Sequence, residues 1–319
     1  MHLSSLLDNK NEDLKNLILK WKKNNLRKIY IKQKVIVLDD NDYAENFGIQ
    51  WNEFQLTQFD SYTKLPLTEE RLVACSEWDL EKLRGKLILE IGGGAGRFTE
   101  IFLKYGAKII TIDMSSAIYA NSINNQNDNV VFIHGDFKSL VGLENSFDYV
   151  FCYGVSQHTP KPEEVYKSCY NFAKKGGLIS VDQYIKRWLP NAFHHPEYIW
   201  RPITKKMKPQ NLLNLIKFYL PVYFVFDTFL IKLFHYKKLA NLVGGCIPIP
   251  CWNYFGYKNI NQDKDNLIQW AIMNTFDALG AKYDCPINSK ELKKYVENFN
   301  QKKYIIKKGG NGIIYNAIK

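Results

Sequence analysis

Leu87-Ile-Leu-Glu-Ile-Gly-Gly-Gly-Ala-Gly-Arg-Phe98 sets the fold of this chain. The apolar run before the glycines reads as a buried strand and Arg97 onward as a helix, so the glycines occupy a strand-to-helix turn. Glycine there lets the backbone turn sharply and approach a ligand with no side chain between, while the helix N-terminus offers unpaired amides. Gly92, Gly94 and Gly96 give Gly-x-Gly-x-Gly, whereas the dinucleotide fingerprint Gly-x-Gly-x-x-Gly needs glycine where Arg97 stands. Glu90, two places before the first glycine, is a carboxylate in an otherwise apolar strand.

Outward from this stretch the pattern repeats. Lys108–Asp113, Val130–Ile133, Phe147–Tyr153 and Gly177–Asp182 read as further strands, with helices over Arg97–Tyr105, Ser115–Asn124 and Glu163–Lys174. Apolar strands alternating with amphipathic helices predict right-handed crossovers and a doubly wound parallel sheet covered on both faces. After the fifth strand the rhythm stops. It resumes with a capped helix from Asn288 to about Phe299, and the strands around Gly309-Gly-Asn-Gly312 form an antiparallel hairpin. The expected fold is α/β, with a mostly parallel, seven-stranded sheet in four parts. Residues 1–60 form an N-terminal basic helix, with Leu14, Leu17, Ile18 and Trp21 at helical spacing, followed by a strand or extended arm where Lys28–Leu38 alternates. Residues 61–184 form the core, with Thr68 capping a helix toward Trp78. Residues 185–287 form a mainly helical cap insertion, and 288–319 complete the sheet.

The strand ends carry the chemistry. Asp113 closes the second strand, seventeen residues beyond Gly96, where a carboxylate can accept both hydroxyls of a ribose. The third strand leads to His134-Gly-Asp-Phe137, an acceptor and an aromatic face where an adenine could sit. The fourth runs into Gly154-Val-Ser-Gln-His-Thr-Pro160, at the carboxyl edge where open sheets bind their ligands.

These segments together resemble the class I S-adenosylmethionine-dependent methyltransferases, of the type 11 or type 12 domain group, whose fold is Rossmann-like. Residues 87–98, Thr111-Ile-Asp-Met-Ser115, His134-Gly-Asp-Phe137 and Phe147–His158 are similar to the family's four motifs, and Gly93 stands where the family often has cysteine or another small residue. The resemblance implies that S-adenosylmethionine is the cofactor and S-adenosylhomocysteine the product. It implies that the glycine loop holds the methionine moiety and Asp113 the ribose. Met114 and Phe137 would flank the adenine, Asp136 would bond its exocyclic amine, and Tyr153 and Gly154 would border the transferred methyl.

A sulfonium methyl is already activated, so the protein need only align an acceptor behind it and exclude water. A base is required only for an acceptor such as a hydroxyl, and His158 is the candidate. His194 and His195, with Tyr198 and Arg201, form a second polar cluster proposed to touch substrate, and the many aromatics of the insertion predict an apolar acceptor cavity. The Asn/Asp-Pro-Pro-aromatic sequence that serves amino-directed DNA methylation in this superfamily does not follow the fourth strand, where Tyr153-Gly-Val-Ser stands, so a small biosynthetic acceptor, glycosyl or lipid-like, is expected and nucleic acid is not. An RNA or protein methyltransferase and a nucleotide-binding oxidoreductase are the alternative readings.

Composition bounds the rest. With 46% hydrophobic and 24% charged residues the 319-residue chain is that of a globular protein, which excludes disordered and fibrous classes. A formal net charge of +11 raises the question of a polyanionic partner or an anionic membrane surface. Six cysteines with no Cys-x-x-Cys pair and no tight Cys/His cluster argue against a zinc or redox site, so no metal is expected. The start lacks a charged n-region and apolar h-region, and reduced thiols in a cytoplasmic protein are expected. Leu212 to Phe234 is interrupted by Lys217, Pro221, Asp227 and Lys232, which predicts an amphipathic helical pair rather than a transmembrane span, with peripheral lipid contact through the basic cap as the alternative. Oligomeric state is left open.

Overall fold

The computed structural model describes residues 2–24, 29–38, 44–186, 197–234, 249–255 and 263–319. It divides into two compact units, the first made of Met1–Ala44, Gln58–Ile185 and Tyr283–Lys319 and the second of Glu45–Thr57 and Lys186–Lys282. Residues 45–57 therefore group with the insertion and not with the expected N-terminal part, while 283–287 group with the first unit.

In the first unit the strands are β1 (Tyr30–Lys32), β2 (Val35–Val37), β3 (Leu87–Ile91), β4 (Lys108–Asp113), β5 (Val130–His134), β6 (Phe147–Cys152), β7 (Ala173–Tyr184), β8 (Lys303–Gly309) and β9 (Gly312–Ile318). They form one sheet in the order β1-β2-β5-β4-β3-β6-β7-β9-β8. Pairing is parallel from β2 through β7 and antiparallel for β1 on β2, β7 on β9 and β8 on β9. Strand order reverses at β3, so the carboxyl ends of β3 and β6 open the crevice where such sheets take ligands.

The sheet has nine strands rather than seven. The extra two are the β1–β2 hairpin, which lays Ile36 and Val37 beside Ile133 and His134. Its turn residues Gln33 and Lys34 both have positive φ, 50° and 65°, the backbone that matches a two-residue hairpin to strand twist. The stretch that reads as a strand or extended arm is thus a hairpin at one edge of the sheet.

The remaining helices of this unit are α1 (Leu3–Leu7), α2 (Glu12–Asn24), α4 (Asp60–Thr63), α5 (Leu67–Ser76), α6 (Arg97–Lys104), α7 (Ala117–Asn124), α8 (Pro162–Phe172) and α12 (Ser289–Val296); α3 (Glu45–Glu53) belongs to the second unit. Alternate strand residues feed two cores. Leu89, Ile110, Val131 and Val150 face Leu14, Ile18 and Trp21 of α2 and the residues of α8, whereas Ile88, Ile109, Phe132 and Phe151 face Phe98 and Phe102 of α6 and Leu72 of α5. Both faces are covered, as an apolar parallel sheet requires. At α12 Asn288 accepts from Lys290 N and Glu291 N while Glu291 accepts from Asn288 N, a reciprocal cap. At α5 the expected Thr68 cap is replaced. The Asp60 carboxylate accepts from Thr68 N at 2.8 Å and Glu69 N at 3.0 Å, and the Thr68 hydroxyl donates to Gln58 O.

The second unit packs α3, α9 (Glu197–Thr204), α10 (Pro209–Phe234) and α11 (Lys264–Gly280). The expected helical pair is one continuous helix of 26 residues with Pro221 inside it. An interior proline costs about 3 kcal/mol. Burying Leu212, Leu213, Ile216, Leu220 and Phe224 along one face outweighs that, at roughly 1.5–3 kcal/mol for each side chain.

Trp21 is 1% exposed and packs with Ile36 in the core of the first unit. Trp21→Ala is expected to lower the unfolding free energy by about 3–5 kcal/mol in denaturant titration followed by circular dichroism. A loss near zero would return residues 2–38 to the status of a loose extension.

Candidate active site

β3 delivers the chain into Gly92-Gly-Gly-Ala-Gly96, with φ at Gly92, Gly94 and Gly96 of 80°, 51° and 103°, a region other residues rarely enter. Space is closed as well. A Cβ at Gly92 would lie 2.0 Å from Val155 Cγ2, one at Gly93 2.1 Å from Thr111 Oγ1, and one at Gly96 2.2 Å from Asn125 Nδ2. Glycine at 93 is therefore required by Thr111 of the neighbouring strand rather than merely tolerated.

Three asparagines from α7 and the residue after it hold the loop. Asn121 Nδ2 donates to Gly93 O at 3.4 Å and to Thr99 Oγ1 at 2.9 Å, Asn124 Nδ2 to Ala95 O at 3.2 Å, and Asn125 Nδ2 to Gly96 O at 3.0 Å and to Asn121 Oδ1 at 2.9 Å. Asn121 and Asn125 are four residues apart, hence on one helix face. None of the three belongs to the sites the sequence predicts. The readable signal is their spacing on a helix that follows the second strand.

Glu90 is 1% exposed, and Thr99 Oγ1 donates to its Oε2 at 2.5 Å. Burial pushes its carboxyl up to about 7, against the pull of the Thr99 and Thr111 hydroxyls. Asp113 sits at the end of β4 with both oxygens engaged. Its Oδ2 accepts from Gly94 N at 2.8 Å, and its Oδ1 from Ser115 N and Ser115 Oγ, both at 2.7 Å. The carboxylate thus touches the glycine loop it faces, which brings the two sequence-predicted elements into one site.

At the end of β5, His134 donates from Nε2 to Met114 O at 2.9 Å and pairs through Nδ1 with the Tyr119 hydroxyl at 3.1 Å, fixing the backbone of half-buried Met114. Asp136 accepts from Lys138 N at 2.9 Å and caps the short turn 137–140, in which Phe137 is buried among the core residues.

At the end of β6, the Tyr153 hydroxyl pairs with Ser180 Oγ at 2.7 Å, and burial raises the phenol far above its ordinary range. Gly154 has φ 74° and open space where a Cβ would stand. Its amide donates to Asp182 Oδ1 at 2.6 Å, and Arg71 donates to Asp182 Oδ2 at 3.0 Å. Asp182, fully buried at the β7 end, is pushed up by desolvation and pulled down by Arg71 and the Gly154 amide. Neither Asp182 nor Arg71 belongs to the predicted sites, although Asp182 closes the predicted fifth strand.

His158 is 8% exposed, with Nδ1 at 3.1 Å from Tyr283 O and its ring edge-on to Tyr184. A carbonyl can only accept, so Nδ1 carries the proton in this contact. The preceding Gln157 is fully buried, and neither atom of its carboxamide has a hydrogen-bond partner. In the second unit Arg201 has another task than the expected substrate contact. It donates to Ala278 O at 2.6 Å and Ala281 O at 2.8 Å, where it caps the carbonyls at the end of α11. Tyr198 is half-buried on α9, and His195 lies outside the described residues. Among the described residues no cluster of side chains could hold a metal ion.

The Glu90 environment sets a pH signature. The unfolded carboxyl ionises near 4.5 while the folded one keeps its proton until about 7, so its contribution to stability is complete below pH 4.5 and lost as pH rises through 7. Glu90→Gln removes this slope. Between pH 4.5 and 8 its stability relative to the parent is expected to improve by about 3 kcal/mol in parallel denaturant titrations, and a constant difference would show that Glu90 ionises normally.

The family model described as a methyltransferase domain matches residues 89–181, the span from the glycine loop through β7. A ubiquinone biosynthesis O-methyltransferase of Coxiella burnetii is 31% identical over 129 residues, covering 39% of this chain and 55% of that protein. The sterol 24-C-methyltransferase of Saccharomyces cerevisiae is 31% identical over 108 residues, covering 32% of this chain and 28% of that protein. The chain thus spans about half the length of its ubiquinone relatives. Among solved structures, human N-acetylserotonin methyltransferase in complex with S-adenosylmethionine is 14% identical, covering 86% of this chain and 56% of that one, with a TM-score of 0.44. With its carboxyl-edge site built on a Gly-x-Gly-x-Gly turn, the segment 89–181 is a methyltransferase domain of the class I type, with S-adenosylmethionine as its methyl donor.

Proposed function

We propose that the whole protein transfers a methyl group from S-adenosylmethionine to a small, lipid-like or glycosyl biosynthetic acceptor. The observation that carries this reading is the Gly94 amide held on the Asp113 carboxylate, which joins a cradle free of side chains to an acceptor of diol hydroxyls. A side-chain-free turn suits a methionine moiety, Asp113 suits the ribose and the Asp136 segment the adenine, so the residues present fit the donor. The acceptor class is supported by the names of two relatives, which act in ubiquinone biosynthesis and on a sterol. One of these methylates oxygen and the other carbon, so the family match leaves the acceptor atom open.

The bound donor supplies an activated methyl on sulfur. The chain's own residues orient and dehydrate. Asp182 and Arg71 fix the Gly154 backbone beside the open space at that residue. For a hydroxyl acceptor His158, oriented by Tyr283 O, serves as the base through Nε2. The Gln157 carboxamide, buried without a partner, is the added candidate for contact with a bound molecule.

Calorimetry with S-adenosylmethionine tests the donor. Asp113→Asn is expected to weaken binding about 10- to 100-fold, the value of a charged hydrogen-bond acceptor. Tight NAD binding without S-adenosylmethionine binding would overturn the assignment. Once an extract screen yields a hydroxyl acceptor, His158→Ala is expected to lower turnover at least about 100-fold. Turnover within a few fold of the parent would remove the base role.

A further inference from the structure

Helix α10 is apolar on two opposite faces. One carries Leu212, Leu213, Ile216, Leu220 and Phe224 and is buried in the core of the second unit with residues of α11. The other carries Leu215, Phe218, Val222, Val225, Phe226 and Phe229, all exposed, with Phe218 at 83% and Val222 at 77%. Steps of three and four residues keep these six on one stripe. From Leu215 to Phe229 the stripe runs about 21 Å at 1.5 Å per residue. Ile199 and Ile203 of α9 are exposed too, at 51% and 63%. A helix apolar all round is normally covered all round.

By length and composition Pro209–Lys232 could cross a membrane. Its inner face is committed to protein, however, so lipid can meet only the outer one. Within 197–234 the exposed charged side chains are all lysines. Exposed Lys205, Lys206 and Lys208 precede α10, and exposed Lys232 lies near its end. Between 197 and 234 the carboxylates are Glu197 and Asp227. Glu197 is buried, and half-buried Asp227 accepts from Asn253 Nδ2 at 2.9 Å. Glu53 of α3, an exposed carboxylate, is held in an ion pair by Lys217 of α10. An apolar stripe on a segment whose exposed charges are all cationic matches an anionic bilayer surface, where aliphatic and aromatic groups enter the headgroup boundary and lysines reach phosphate. A second copy would bring the same lysines, on a chain of net charge +11.

We propose that the outer face of α10, with the adjoining Ile199 and Ile203 of α9, seats the protein on an anionic lipid surface in the manner of an interfacial helix. The inference does not depend on the methyl-transfer reading, since it rests on exposure and charge alone.

Flotation of the full chain with phosphatidylcholine vesicles, with and without phosphatidylglycerol, tests it. The protein is expected to float with the anionic vesicles at least about tenfold more strongly than with the neutral ones, and less so at high salt. Phe218→Asp with Val222→Asp should abolish flotation while leaving the circular dichroism spectrum and melting temperature in place. Lys205→Glu, Lys206→Glu and Lys208→Glu together should remove the preference for anionic vesicles. Absence of flotation, or equal flotation of the parent and both variants, would overturn the proposal. So would a dimer in light scattering that Phe218→Asp with Val222→Asp dissolves, which would assign the stripe to a second copy.

Discussion

Four glycines within five residues leave the turn after β3 with little local reason to hold one shape, and the rest of the site depends on its being held. Each glycine loses more backbone freedom on folding than alanine would, by roughly 0.5–1 kcal/mol. Asn121, Asn124 and Asn125 offset this by donating to the carbonyls of Gly93, Ala95 and Gly96, and Asp113 by accepting from Gly94. At about 1 kcal/mol net for each hydrogen bond, the two sums are close. The turn therefore keeps the shape its neighbours impose, and the same neighbours forbid any side chain on it. Thr111, Asn121, Asn125 and Val155 fill the volumes where Cβ atoms would stand.

A second fixed point lies across the sheet at Asp182. A buried ion pair is weak evidence for stability, because desolvation cancels most of the attraction. Its value here is geometric. Arg71 holds one carboxylate oxygen and the Gly154 amide the other, so the chain leaving β6 is tied to the end of β7. Ser156 Oγ donates to Asp182 O at 2.9 Å, and Ser180 Oγ to Asn316 Oδ1 at 2.6 Å, which carries the tie through β7 to β9. Gly92 and Gly154, at the ends of β3 and β6, are thereby positioned from opposite directions.

How much of this a sequence reveals depends on the distance over which the controlling interaction acts. The five parallel strands and the C-terminal hairpin are legible because apolar runs and glycine turns are local signals, and Asp113 is legible because a strand end is a defined place. The alternation across Lys28–Leu38 shows one strand or an arm but not a hairpin, because β1 and β2 are three residues each and their turn uses Gln33 and Lys34 instead of glycine or asparagine. Pro221 reads as a break because the local cost is visible while the burial that outweighs it is not. The asparagines of α7 give no sequence signal of their task beyond their spacing, and Arg201 reads as a substrate contact, because their partners lie 28 to 80 residues away. The association of 45–57 with the second unit carries no local mark at all.

Charge divides along the same lines. Glu90, Asp113, Asp136 and Asp182 stand at or beside the carboxyl ends of β3, β4, β5 and β7, while Arg71 and Arg97 are the cations that enter their balance. A site so composed favours a ligand bearing positive charge, such as a sulfonium with an α-amino group, over a polyphosphate, for which helix N-termini in other doubly wound proteins are used without a carboxylate cluster. The excess of lysine is placed elsewhere, on α2, on 205–208 and along β8. A net charge of +11 is therefore no guide to the chemistry of the cleft. It describes the outer surface, and the two must be read separately because at physiological salt, fields from exposed charges fade within about 8 Å.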